Sequence, residues 1–348
     1  MPTLHYITEE TKTIFTWIAI AIATLILLMG IFRFGNAMKE YFFPTPLPPP
    51  SVAFGKLAPL AFPKNVADNH LLYVFDTASG TFPNFPDRAT IYRLEKPVPN
   101  FLDLKRVQDR VSRIGFPTNG IALSDTAYLW SEVKPPFRKL TFDIVSSNFT
   151  LSSNYLFNQD ILQNKNLPNE TTATDVASSF LSKIALLPND IDPTKTKTML
   201  LRVENGKLAK ATSKSTATLI RVDFFQKDIN NLPLYYPDPL HSTMSLFLTG
   251  GEFEPQVIEA GVFHKTADTS SSTYPIKTAN SAYTQLQKGE GYIAAYFGTG
   301  NTVRIKNIFL AYYLGDTTQD YLMPIIVFTG DNGFVAYIPA VTDAWMSK

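Results

Sequence analysis

The longest unbroken apolar run in the chain lies near its start. Residues 14–32 read IFTWIAIAIATLILLMGIF, nineteen positions without a charge. At about 1.5 Å per residue such a helix reaches nearly 30 Å, the thickness of a bilayer's hydrocarbon core. A buried core helix would normally be shorter or carry a polar stripe. The pattern therefore predicts a membrane-spanning helix anchored by Ile14, Trp17, Leu25, Leu28 and Phe32, with residues 1–13 as a tail. A cleaved signal peptide has an apolar region of about 7–15 residues and a small-residue cut site. Arg33-Phe34-Gly35-Asn36-Ala37 is a poor cut, so the helix is expected to stay. Lys12 is offset by Glu9 and Glu10, while Arg33 and Lys39 follow the span. Flanking charge thus leaves the orientation open, and large domains cross largely regardless of it. The expected arrangement is a single-pass protein of the cell membrane, with the N-terminus cytoplasmic and the C-terminal domain extracytoplasmic.

Proline takes over next, in Pro44-Thr45-Pro46-Leu47-Pro48-Pro49-Pro50, then Pro59 and Pro63. Proline fixes φ near −65° and removes a donor, so the run should extend as a polyproline helix. At about 3.1 Å per residue its seven positions make a spacer of roughly 20 Å. Residues 33–66 are expected to form a stalk.

Beyond it, helical and alternating patterns recur three times. Leu104, Val107, Val111 and Ile114 fall on one helical face, opposite Lys105, Arg106, Arg110 and Arg113, and Gly115 stops that helix. A second helix is expected over 174–186, capped by Thr174, with Val176, Ala177, Phe180, Leu181 and Ile184 buried. A third starts at the cap Thr278, buries Ala279, Ala282, Tyr283 and Leu286, and closes at Gly289. Strand patterns follow each helix: 128–130 and 139–145; 219–225, 244–248 and 256–263; 303–314, 321–329 and 334–338. In 219–225, Ile220, Val222 and Phe224 alternate with Arg221 and Asp223, which predicts one wet face. Asp331-Asn332-Gly333 suits a tight hairpin. Segments 71–75 and 90–94 are expected to pair as a further hairpin. Helices grouped ahead of antiparallel strands make an α+β protein, with tandem units at 67–165, 170–265 and 272–341.

Composition narrows the chemistry. Thirteen per cent aromatics argues for a folded core, and a net charge of +1 gives no footprint for nucleic acid. The absence of cysteine removes disulfides, thiolate metal sites and cysteine nucleophiles. His5, His70, His241 and His264 lack metal-ligand spacing. No Walker loop, GxGxxG or GxSxG occurs, and Gly298-Thr299-Gly300 reads as a turn. Asp76-Thr77-Ala78-Ser79-Gly80 resembles an aspartic-protease motif, but that chemistry needs a second carboxylate sharing a proton. Asp316-Thr317-Thr318 falls in an expected hairpin loop instead. Asn148 and Asn169 head glycosylation sequons. No catalytic, metal or cofactor residue is assigned.

A family resemblance rests on Leu219 through Phe225 with Asn231-Leu232-Pro233-Leu234, on Tyr274-Pro275-Ile276-Lys277, on Gly291-Tyr292-Ile293, and on Leu310-Ala311-Tyr312-Tyr313 with the strand after it. These segments resemble the PepSY-type module, in particular the YycH/YycI group of membrane-anchored accessory regulators. The resemblance implies a helix-on-sheet ectodomain and regulation of a sensor histidine kinase. The expected function is binding and regulation through a protein or peptide partner in the envelope, with Tyr235 and Tyr236 as contact residues and lipid bound through 14–32. The alternatives are a cell-envelope enzyme with an acidic site and a structural subunit of an envelope assembly.

Overall fold

A computed structural model describes residues 4–42, 48–67, 71–162, 166–184, 187–251 and 254–347. It divides into two compact units, Met1–Pro49 and Pro50–Lys348. The first is one helix, α1 (Leu4–Phe42). Within it Phe15–Gly35 is long and apolar enough to cross a membrane, with mean hydropathy 2.5. Ile14 lies in this helix, and Trp17, Leu25, Leu28 and Phe32 are exposed along it. The helix continues through Arg33 and Lys39, where a stalk was expected. Ala37, Met38, Lys39 and Glu40 are good helix formers, and Pro44 would forbid much further extension. Pro44 and Pro46 lie outside the described residues.

The second unit contains two sheets. One has nine antiparallel strands. The first four are β3 (Ile121–Ala122), β4 (Ala127–Ser131), β5 (Lys139–Asp143) and β6 (Phe149–Ser152). Next come β12 (Gln256–Val262), β11 (Met244–Thr249), β9 (Leu219–Asp223), β7 (Lys197–Glu204) and β8 (Lys207–Lys210). Helices α2 (Asp103–Ser112) and α4 (Glu170–Lys183) cover one face. There Val107, Val111, Phe180 and Leu181 meet Trp130, Phe142, Ile220 and Leu246. Side chains alternate across a strand, so Leu219 and Phe247 face the other way, onto Tyr155 and the short α3 (Gln159–Leu162).

The other sheet runs β1 (Leu72–Phe75), β15 (Thr302–Tyr313), β16 (Tyr321–Gly330), β17 (Val335–Pro339), β14 (Tyr292–Ala295). β10 (Leu234–Tyr235) adds to β15, and β2 (Arg88–Leu94) joins β16 to β13 (Ala267–Pro275). Helix α5 (Ala279–Gln287) packs Ala282, Tyr283 and Leu286 on one face. The opposite face is covered by residues 50–66, which the sequence reading placed in the stalk. Val52, Phe54, Leu57, Leu60 and Phe62 pack there against Tyr292, Tyr313, Tyr337 and Trp345. Backbone bonds fasten this strap: Val52 N to Thr273 O at 3.1 Å, Leu57 N to Trp345 O at 2.9 Å and Val66 N to Ile293 O at 3.1 Å. Five apolar side chains in seventeen residues bury themselves rather than stay extended in water.

The architecture is mixed α+β. Three local expectations change. Segments 71–75 and 90–94 do not pair: β1 lies parallel to β15, and β2 lies between β13 and β16. The intervening chain is itself packed, with Phe82 4.3 Å from Phe75. Strands expected in one unit at 67–165 are therefore divided between the two sheets. The second helix begins earlier than Thr174, because the Asn169 side chain accepts from Thr172 N at 2.8 Å and is the better cap. The third helix is capped by Thr278 as expected. Asp223, placed on a wet face, is buried; Arg221 grips both its oxygens at 2.8 Å and Ser242 N donates at 3.0 Å. A charged residue is tolerated inside when so paired.

Candidate binding cleft

Helix α2 ends at Arg113, and Gly115 turns the chain at φ +95°. That turn brings Ile114 against the β4–β5 connection, where Arg138 makes a staple. Arg138 Nε donates to Glu132 Oε2 at 2.9 Å, Nη1 to Val257 O at 3.0 Å and Nη2 to Ile114 O at 3.1 Å. Its guanidinium also lies 5.4 Å from the centre of the Phe116 ring. One fork thus binds three distant segments, a geometry lysine cannot supply.

Beside the staple opens a cleft of 630 Å³. Its floor is apolar: Ile114, Val176, Phe180 and Val257, with Pro135, Pro136 and Pro255. The α4 wall presents Asp175, Ser179 and Lys183, spaced four residues apart and so on one ridge. Arg113 and Glu254 also line it, and Arg113, Asp175 and Lys183 make no ion pair among the described residues. The same connection exposes Val133 and Phe137. An apolar floor with unpaired charges of both signs at its rim can hold an extended chain and fix its register.

Tyr235 and Tyr236 line a different cleft of 390 Å³, with Lys195, Phe225 and Pro233. Tyr235 is half-buried, its ring 5.8 Å from both Phe309 and Tyr337. Tyr236 is buried, its hydroxyl accepting from Gln226 N at 3.3 Å, and burial pushes its pKa up to about 12. Tyr236 is therefore core, and Tyr235 alone offers an edge.

The remaining candidates are scattered. His264 Nε2 lies 2.9 Å from Asp190 Oδ1, and Gln226 Nε2 donates to Asp190 Oδ2 at 2.8 Å. Burial opposes ionisation of Asp190, but the His264 and Gln226 bonds outweigh it and lower its pKa. His241 Nδ1 is 3.4 Å from Asp223 Oδ2, yet out of line for a hydrogen bond. His5 is in α1, and His70 lies outside the described residues. Lys306, with Arg304 at 3.8 Å, holds Asp76 below the ordinary carboxylate range. Asp316 sits in the β15–β16 connection and lines a third cleft with Arg221 and His241. Among the described residues no group of three or more His, Asp or Glu is placed to hold a metal. Sequence reasoning missed the 630 Å³ cleft, because its walls come from segments near 113, 135, 179 and 255 that share no motif. The only signal was the charge on the outer faces of α2 and α4.

No protein-family model matches the chain, and no curated protein is significantly similar to it. A solved structure of an uncharacterized protein from Eubacterium rectale is similar at TM-score 0.34 and 11% identity, covering 80% of this chain and 92% of that one.

Proposed function

We propose that this is a single-pass membrane-anchored binding protein, with an extracytoplasmic domain that acts by contact with a protein or peptide. The observation that carries the reading is the 630 Å³ cleft, whose apolar floor and unpaired Arg113, Asp175 and Lys183 suit an extended segment of a partner. A regulatory role, as in the YycH/YycI group, is the form of contact the sequence resemblance favours. A photoreactive residue at Ser179 of the full-length protein in native membranes should crosslink one partner. The adduct should disappear with Asp175→Lys plus Lys183→Glu, and a probe at exposed Leu208 should not form it. Equal adducts from both positions, or none from Ser179, would sink the cleft as the site. Asp76→Asn should leave the native phenotype intact, since Lys306 and Arg304 already neutralise that carboxylate. Loss of phenotype in a well-folded Asp76→Asn protein would put the acidic enzyme first.

A further inference from the structure

The connection from β2 to α2 is an apolar tip held open to solvent. Val98, Phe101 and Leu102 are 84%, 106% and 55% exposed. Pro97 and Pro99 stiffen the approach. A closed turn then fixes the tip: Asn100 N donates to Asp103 Oδ2 at 2.6 Å, Leu102 N to Asn100 Oδ1 at 2.9 Å and Asp103 N to Asn100 O at 3.0 Å. Phe101 is thus presented outward by structure rather than by fraying. Cations follow directly: Lys105 and Arg106 are exposed on α2, Arg110 is half-buried on its flank, and Arg113 caps its end at the rim of the cleft. Residues 95–113 carry five cations against three carboxylates; Arg106 pairs with Asp103 at 3.5 Å and Lys96 with Asp320 at 2.7 Å.

We infer that this tip and the basic face of α2 dock the domain on the surface of an anionic bilayer, the one that α1 spans. The inference rests on the anchor reading. Aromatic and aliphatic side chains flanked by Lys and Arg suit the headgroup boundary, where the ring enters and the cations meet lipid phosphate. The chain enters the domain beside β2, the strand that leads into the tip. Ser51 N and Val52 N bond Thr273, Thr273 pairs with Thr90, and β2 ends at Leu94. Those four residues of strand amount to roughly 13 Å. Three protruding side chains are few for a protein interface, which takes about 800 Å² per partner. They suffice to wedge into lipid that the tether keeps near.

The chain has no cysteine, so single nitroxide labels need no background removal. The full-length protein is reconstituted in phosphatidylcholine vesicles with or without phosphatidylglycerol. Labels are placed at Phe101→Cys, at Leu25→Cys within α1 and at Phe157→Cys, another exposed phenylalanine. In anionic vesicles the labels at 25 and 101 should be shielded from a water-soluble nickel relaxant and open to oxygen, while that at 157 stays in water. Lys105→Glu plus Arg106→Glu should reduce shielding at 101 several-fold and leave 25 unchanged. Shielding at 25 with a fully aqueous label at 101 overturns docking and leaves the anchor standing. Aqueous labels at both overturn the anchor reading itself. Shielding at 101 that appears only with a second membrane protein assigns the tip to a protein partner and overturns the lipid assignment.

Discussion

The nine-stranded sheet is covered by α2 and α4 on one face, whereas one face of the eight-stranded sheet is covered by the irregular strap of residues 50–66. A helix arrives with its backbone bonds made internally, so it needs only an apolar stripe. A strap arrives with backbone N–H and C=O groups that burial would leave unpaired. Tyr274 answers part of that need. Tyr274 Oη accepts from Phe54 N and donates to Gly55 O, both at 2.9 Å, while its ring stacks on Phe54 at 6.5 Å. Phe62 lies flat on Tyr292 at 5.2 Å and edge-on to Tyr313 at 4.8 Å. The helix-covered face is richer in aliphatic side chains and the strap-covered face in tyrosine; of these Tyr274 bonds the strap's backbone, while Tyr292 and Tyr337 donate to Pro237 O and Tyr236 O.

Cutting the chain is the severest way to break this comparison. A protein beginning at residue 63 loses Leu57 and Leu60, whose full burial contributes about 1.5–3 kcal/mol each, together with the half-buried Phe54 and Phe62. The sum is a large fraction of the stability of an ordinary domain. Its near-UV circular dichroism should collapse, whereas a protein beginning at residue 49 should keep it. Hydrogen exchange should then rise in β16 and β17 ahead of β9 and β11. Uniform exchange in all four would show that the sheets unfold together and that the strap is not a separate support.

On the helical side, Phe180→Ala removes a buried ring of α4 and should cost about 3–5 kcal/mol in denaturant titration. A cost below 1 kcal/mol would mean that the ring leans on the cleft rather than the core. Tyr274→Phe keeps the ring but leaves Phe54 N and Gly55 O without their partner. It should cost about 2 kcal/mol, more than the loss of a helix cap. Asn169→Ala, which strips the α4 cap, should cost about 1 kcal/mol. Equal costs would remove the contrast between strap and helix.

The mildest effect is confined to acid. Asp190 has its folded pKa below the ordinary 3.8. Its bonds with His264 and Gln226 therefore stabilise fully above that value, and the contribution disappears as pH falls through the lowered pKa. Asp190→Asn should flatten the acid limb of a stability–pH curve below about pH 4. An unchanged limb would show that the pairing contributes nothing to folding.

Much of this scaffold was legible in the sequence. The long apolar helix, the Thr278 cap, the stripe of α5 and the turn at Asn332, with φ 52°, depend on neighbours within a few residues. The strap was not legible, because proline spacing reports local stiffness while the fate of Leu57 depends on Trp345. The same limit hid the partner of β1, which lies at 302–305, and the burial of Asp223, which depends on Arg221 and Ser242. Tyr235 was expected as a contact residue, and nothing near it in the sequence told that Phe309 and Tyr337 flank it.

The strap also determines how a pull on the chain ahead of Pro50 would enter the domain. Such a load meets the bonds to Thr273 first, then the paired contacts of Leu57, whose N–H bonds Trp345 O and whose carbonyl accepts from Ser347 N at 2.7 Å. These links stand in series along one strand of chain, so they would give way one after another, like a seam, while the ladders of β15, β16 and β17 stayed unloaded. Tension would thus uncover the tyrosine-rich face before it disturbed either sheet.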